Sequence, residues 1–377
     1  MKRIVIIGGG IVGATAAFEL AKRKVDVTII DSKEKGRATS AAAGIICPWV
    51  SQRRNKAWYE LANKGAIFLE QLIDQLENHG KKQTGYKKVG ALRLHTDITK
   101  LAKIEKLVNK RRESNDHIGD VKLFSNAETK EKFPFIADHY NALYVSGAAR
   151  VDGRALRDTL IEAAVQLGAN FIDGHAELLI EESEVVGVNV TNLDGFSTNE
   201  KIYAETIILT NGIWMPKTLS ALNVHLQIAA QKGEIVHMHD EAHETDNFPV
   251  IMAPFDHYIL SFPDGKIVAG ATRENDPKHM RKTIGGLHTV IDHALEVAPK
   301  LSDSTYVETR VGMRPFTSNH LPIFGALPNV ENVYLANGLG SSGLSTGPFI
   351  ANQLTKMIFQ EERDIDWKLY DVTQAIK

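Results

Sequence analysis

Cysteine is nearly absent: Cys47 is the one thiol in 377 residues. A single cysteine excludes an internal disulfide framework and fits a reducing compartment. Long apolar runs are missing too, and none approaches the ~20 residues that a membrane-spanning helix needs. There is no excess of charge of either sign. Lysine plus arginine number 44 against 46 acidic residues, for a net charge of -2. That balance argues against a dedicated nucleic-acid surface. Two polar residues, Lys2 and Arg3, lead straight into the first strand-like run, so we expect no signal peptide and a cytoplasmic protein. Internal repeats and low-complexity tracts are also lacking. At this length the chain exceeds one ordinary core, and we expect two domains.

What is present is concentrated at the start. Arg3 opens onto Ile4 to Ile7, a run of β-branched residues that reads as a buried parallel strand. Gly8, Gly10 and Gly13 follow at G-x-G-x-x-G spacing, then a helical pattern through Ile11, Val12, Ala14, Ala17 and Leu20. A second strand, Val25 to Ile30, ends at Asp31. Each part has a physical job in holding a dinucleotide. Gly8 allows the turn, Gly10 lets backbone approach a pyrophosphate, and Gly13 lets helix and strand pack closely. The helix N-terminus offers free N–H groups and a positive dipole end. Asp31 can accept hydrogen bonds from ribose hydroxyls. This stretch alone does not separate NAD from FAD.

Further along, Thr39 to Ile46 is a small-residue run suited to a helix start or to a loop pressed against a flat ligand. An amphipathic helix then carries Trp58, Leu61, Ala62, Gly65, Phe68, Leu69, Leu72, Ile73 and Leu76 on one stripe. We expect a helix near Ile98 to Arg112, strands at Val89 to His95 and Val121 to Phe124, and a helix–strand pair ending at Asn170 to Ile172. Short strands should fill Ala176 to Tyr203, with a turn at Asn192 to Gly195. Ala204 to Gly212 reads as a buried strand, strands dominate Val224 to Thr272, and a helix covers Leu287 to Ala298. A last strand, Val333 to Ala336, meets a glycine-rich turn and a helix for which Ser345 or Thr346 is the expected N-cap, with Pro348 in the first turn.

With these residues in hand, the chain resembles the D-amino acid oxidase superfamily of FAD-dependent oxidoreductases. The likeness is greatest to its glycine oxidase, sarcosine oxidase and D-amino acid dehydrogenase branch. It rests on Gly8 to Asp31, Ala38 to Ile45, Ile207 to Gly212, Gly312-Met313-Arg314-Pro315 with Leu321 to Gly325, and Asn337 to Pro348. It implies an α/β chain, α+β overall, in which a Rossmann-like FAD-binding domain carries an inserted, mostly antiparallel substrate domain. We expect the first at 1–80, 150–220 and 311–377, and the second at 81–149 and 221–310.

The resemblance also implies FAD, held noncovalently, with Ile11 and Val12 at the pyrophosphate and Asp31 and Ser32 at the ribose. Ala38, Thr39, Ala43, Gly44 and Ile45 would follow the diphosphate and flavin ring. Ala176 would contact the adenine, and Gly212 would close the neighbouring strand end. Leu339, Gly340, Ser341, Ser342, Gly343, Leu344 and Ser345 would cover the pyrimidine end, where a helix N-terminus suits the charge of reduced flavin. Arg314 matches the carboxylate-binding arginine, and Tyr258 an active-site tyrosine.

The implied reaction is oxidative deamination of glycine, a D-amino acid or an N-substituted amino acid, with O2 as acceptor. The alternatives are a dehydrogenase using a quinone or another carrier, and a 2-hydroxy acid dehydrogenase. The sequence departs from glycine oxidases at Ser341, where they carry arginine, and at Arg273, where they carry an apolar residue. That shift of charge favours a carboxylated amine with a polar or acidic tail. Arg53, Arg54 and His320 are further candidates for the pocket wall. His237, His239 and His243 have metal-like spacing without a completing carboxylate pattern, and we expect no metal. Cys47 is expected to be a small buried hydrophobe. Partners are a small-molecule amine and an electron acceptor, and homo-oligomerisation is left open.

Overall fold

A computed structural model describes residues 2–193 and 200–377. Its first sheet has eight strands in the order Glu200–Tyr203, Glu184–Asn192, Asn170–Glu181, Asp26–Asp31, Arg3–Ile7, Thr206–Leu209, Val333–Asn337 and Ile323–Ala326. The central five pair in parallel. Strands buried on both faces read as continuous apolar runs, and Ile4, Val5, Ile6, Val27 and Ile29 are fully buried here. The helix Ile11–Lys22 lies on this sheet between Gly153–Gln166 and Gly343–Ile358, and Lys56–Asn78 packs against the last of these.

A second sheet carries Ala229–His239, Lys266–Gly270, Tyr258–Ser261, Val250–Met252, Ala91–His95, Asn141–Val145 and Val121–Phe124 in sequence across it. Every pairing in that run is antiparallel except Val250–Met252 with Ala91–His95. Thr305–Phe316 pairs along the other edge of Ala229–His239 from end to end. Alternation with period two divides the sheet's residues. Ile251, Ile259, Ile267 and Val236 join Val290, Ala294 and Val297 of the helix Ile284–Val297 in one core. Their neighbours Met252 and Tyr258 face the opposite way, into the cavity described below. We propose the two-domain division set out above on the basis of these two sheets. The strand Thr305–Phe316 spans its 310/311 boundary.

Two local readings are corrected. The strand at Asn170 does not stop at Ile172 but runs to Glu181, turning at Glu182–Ser183 into Glu184–Asn192. Both turn residues have positive φ, 49° and 71°, without being glycine, asparagine or aspartate. The turn expected at Asn192 to Gly195 lies largely outside the described residues. The last helix begins at Gly343, before the expected Ser345 or Thr346, and Pro348 sits inside it. Thr346 Oγ1 instead donates back to the Ser342 carbonyl at 3.0 Å, one turn earlier.

Candidate active site

One continuous cavity of about 880 Å³ opens between the two sheets. Its first end lies over the glycine turn. Gly8, Gly10, Ile11, Val12, Asp31, Ser32, Ala38 and Thr39 line it, with Ala176 on the neighbouring strand. Gly13 does not reach the cavity. A Cβ there would stand 2.0 Å from the Gly8 carbonyl oxygen, so it serves the close helix–strand contact expected of it. Asp31 is 4% exposed and well supplied with donors. Its Oδ2 accepts the Gly9 N–H at 2.8 Å and its Oδ1 the Lys33 N–H at 2.7 Å. Arg37 and Arg157 add contacts at 3.3 and 3.5 Å. Arg157 also donates to the Gly9 carbonyl at 2.7 Å.

Ala43, Gly44, Ile45 and Gly212 also line the cavity, as do Leu339, Gly340, Ser341, Gly343, Leu344 and Ser345, and the two sets meet where Ser345 lies 3.5 Å from the Ile45 carbonyl. Gly44 has φ +95°, and a Cβ would meet the Val151 carbonyl oxygen at 1.7 Å. Ser342 is turned away from the cavity and accepts the Trp58 indole N–H at 3.0 Å. The helix Gly343–Ile358 has no side-chain cap, so its leading N–H groups point at this wall unshielded.

The far end carries Tyr258, Arg314, Arg273, Arg93 and Met252. Arg314 stands on Thr305–Phe316, where its Nη1 donates to Gln231 Oε1 at 3.1 Å and to the Thr272 carbonyl at 3.4 Å. Tyr258 lies beside this guanidinium and couples to it electrostatically. Burial lowers the Arg314 pKa most, Tyr258 opposes that, and Arg273 adds to it by repulsion. Burial raises the Tyr258 pKa against the pull of Arg314, which keeps the phenol a neutral O–H donor. Arg273 is 47% exposed and ion-paired to Asp256 at 2.9 Å. Arg314 has no carboxylate in contact among the described residues.

Arg53, Arg54 and His320 do not reach this cavity. They line an adjoining recess of about 420 Å³ that shares Arg273 and Ser341 with it. The Arg53 guanidinium lies over the Trp58 ring at 4.5 Å. Cys47 is 6% exposed and lies outside the cavity lining, with burial pushing its thiol up to about 12. His243 engages Asp240 at 2.8 Å, and no group of three His, Cys, Asp or Glu gathers as a metal site among the described residues. The sequence reading missed Arg93, Arg157 and Met252. A lone arginine in an alternating strand or helix carries no signal of which way it faces.

The cavity fits FAD. It is one volume within the range of a cofactor pocket, with a glycine turn and helix start at one end and an uncapped helix start along its middle. The family model of FAD dependent oxidoreductases (DAO) matches residues 3–357. The chain belongs to this family of FAD-dependent enzymes. It is 48% identical over 378 residues to an uncharacterised oxidoreductase, YurR, of Bacillus subtilis (strain 168), covering all of both chains. It is 25% identical to the glycine oxidase of the same organism, over 96% of this chain and 94% of the other. Among solved structures it is similar to iminodiacetate oxidase (IdaA) from Chelativorans sp. BNC1. That match has a TM-score of 0.91 and 35% identity, and covers 98% of each chain. The glycine oxidase of Geobacillus kaustophilus shares the fold, with a TM-score of 0.84 at 24% identity over all of both chains. With glycine oxidase and iminodiacetate oxidase among these relatives, the chain is an enzyme, an amino acid or amine oxidoreductase that depends on FAD. No helix among the described residues is long and apolar enough to cross a membrane.

Proposed function

We propose that the protein oxidises the Cα–N bond of a carboxylated amine, with Arg314 and Tyr258 holding the carboxylate at the far end of the cavity. The observation that carries this is the placing of Arg314 and Tyr258 together: a mostly buried guanidinium beside a neutral phenol, facing the cavity without a carboxylate of its own. A substrate carboxylate supplies the missing partner. Guanidinium offers it a two-pronged grip, and the Tyr258 O–H adds a third donor. FAD, when bound, supplies the redox chemistry by accepting hydride from the substrate carbon.

The chain's own residues orient the amine and keep water from the reacting face. Ile11, Val12 and the helix start they open would hold the pyrophosphate, with Arg37 and Arg157 nearby as cations. A ribose hydroxyl at Asp31 would have to replace one of the donors already there, because the carboxylate's acceptor sites are largely taken. Ala43 to Ile45 and Leu339 to Ser345 would flank the flavin. The one thiol is buried away from the cavity, which supports noncovalent FAD and suits a cytoplasmic setting.

Arg273, in place of an apolar residue, and the short Ser341 both line the cavity, so an amine larger and more acidic than glycine is favoured. The relatives named as oxidases support O2 as acceptor. The test is anaerobic reduction of the purified yellow protein by a panel of carboxylated amines, followed by air. Flavin bleaching, then ammonia or an amine with peroxide, is the expected result. Dye reduction without peroxide would move the acceptor to a carrier. A colourless protein, or one that no amine bleaches, would overturn the proposal.

A further inference from the structure

Arg93 stands on Ala91–His95 directly opposite Met252, which in turn stands opposite Tyr258. Directly opposed residues share a sheet face, so the three side chains form one row on the cavity wall. Arg93 and Tyr258 are separated by one strand, about 10 Å between Cα atoms. Arg93 is half-buried and lines the cavity. One of its N–H groups donates to the Ala253 carbonyl, which leaves the rest of its five donors open. Burial lowers its pKa, while Asp256 pulls the other way. The Asp256 carboxylate, however, is bound to Arg273 at 2.9 Å. Arg93 has no ion pair among the described residues.

A partly desolvated cation without a counter-ion is unfavourable by itself. A monocarboxylated amine seated on Arg314 leaves it in that state. An amine carrying an anionic group on each side of its nitrogen does not. We propose that Arg93 is a second anion-binding residue of the site, gripping an anionic group on the substrate's N-substituent while Arg314 and Tyr258 hold the first carboxylate. This rests on the reading of Arg314 and Tyr258 given above, and it defines the substrate class as dianionic secondary amines. Arg93 is then a specificity-determining residue rather than a catalytic one.

The test pairs two ligands that cannot be oxidised, because a methylene replaces the amine. Glutarate mimics iminodiacetate, and butyrate mimics N-methylglycine. Calorimetric affinities are measured on the flavin-loaded wild type and on Arg93→Gln, Arg93→Lys and Arg273→Met. Loss of a charge-assisted grip weakens glutarate roughly 10- to 100-fold in Arg93→Gln, with butyrate within about twofold of wild type. Arg93→Lys recovers part of the loss.

Equal glutarate affinity in wild type and Arg93→Gln overturns the inference. So does a glutarate loss confined to Arg273→Met, which would place the second anion there. Anaerobic reduction of wild type by iminodiacetate and N-methylglycine separates the two levels. If neither bleaches the flavin, nor any other carboxylated amine, the proposed function falls and takes the inference with it. If they do, and their ratio is unmoved in Arg93→Gln, only the inference falls.

Discussion

Arg314 makes bonds that lysine cannot reproduce. Its flat guanidinium reaches Gln231 and Thr272 together, beside Tyr258, and still presents donors to the cavity. Arg314→Lys keeps the charge and loses the fork. KM for the carboxylated amine should rise about 10- to 100-fold with flavin absorbance unchanged. Steady-state kinetics on the yellow protein measure it, and an unaltered KM would remove Arg314 from the site. His237 and His257 make a different prediction. Burial, with Arg310 and Lys266 close to the first and His293 to the second, lowers their pKa values to about 4 and about 3. Unfolded, both titrate near the usual ~6.5. The unfolded chain therefore binds more protons between these values, and stability is lost as pH falls from about 6.5 towards 4. Each histidine contributes up to about 1.4 kcal/mol per pH unit in that window. Urea midpoints at pH 7, 6 and 5 should decline, and less steeply in His257→Phe. Parallel slopes in the two proteins would rule this out.

Between elements, one close approach near the cavity wall is a helix crossing. Gly65, in the middle of Lys56–Asn78, faces the first turn of Gly343–Ile358, and a Cβ there would lie 2.1 Å from the Ser345 carbonyl oxygen. Gly65→Ala should push that turn away from Lys56–Asn78 and weaken flavin retention, although Gly65 itself does not line the cavity. Fluorescence titration of FAD into the apoprotein checks this, with a several-fold weaker Kd as the expected result.

Elements also show what the sequence made legible. The opening strand, turn and helix were readable because β-branched runs and spaced glycines have few other uses. Ile98–Arg112 and Val121–Phe124 fell where their patterns put them. The hairpin at Glu182–Ser183 did not, because its positive φ values sit on residues that do not advertise a turn. The start of the last helix was misplaced for a related reason. Ser345 and Thr346 resemble caps in sequence, yet Thr346 bonds back along a helix already under way. Arg93 was invisible because facing depends on register, which only strand pairing fixes.

At the scale of the molecule, the long pair Ala229–His239 and Thr305–Phe316 carries Arg314 from the second sheet to the cavity wall, where Arg37 bridges to Met313. Cys47 is buried in the hydrophobic core, two residues beyond Ile45 of the cavity wall. Its thiol, pushed up to about 12 by burial, is inert to reagents while the fold is shut. As the chain's one cysteine, it is a built-in clock for opening. Modification by a disulfide reagent can proceed only through excursions that expose this site, so its rate counts them. With excess FAD those excursions should become rarer by a factor of one plus the ratio of free FAD to its Kd, and removing the cofactor should speed labelling by the same factor.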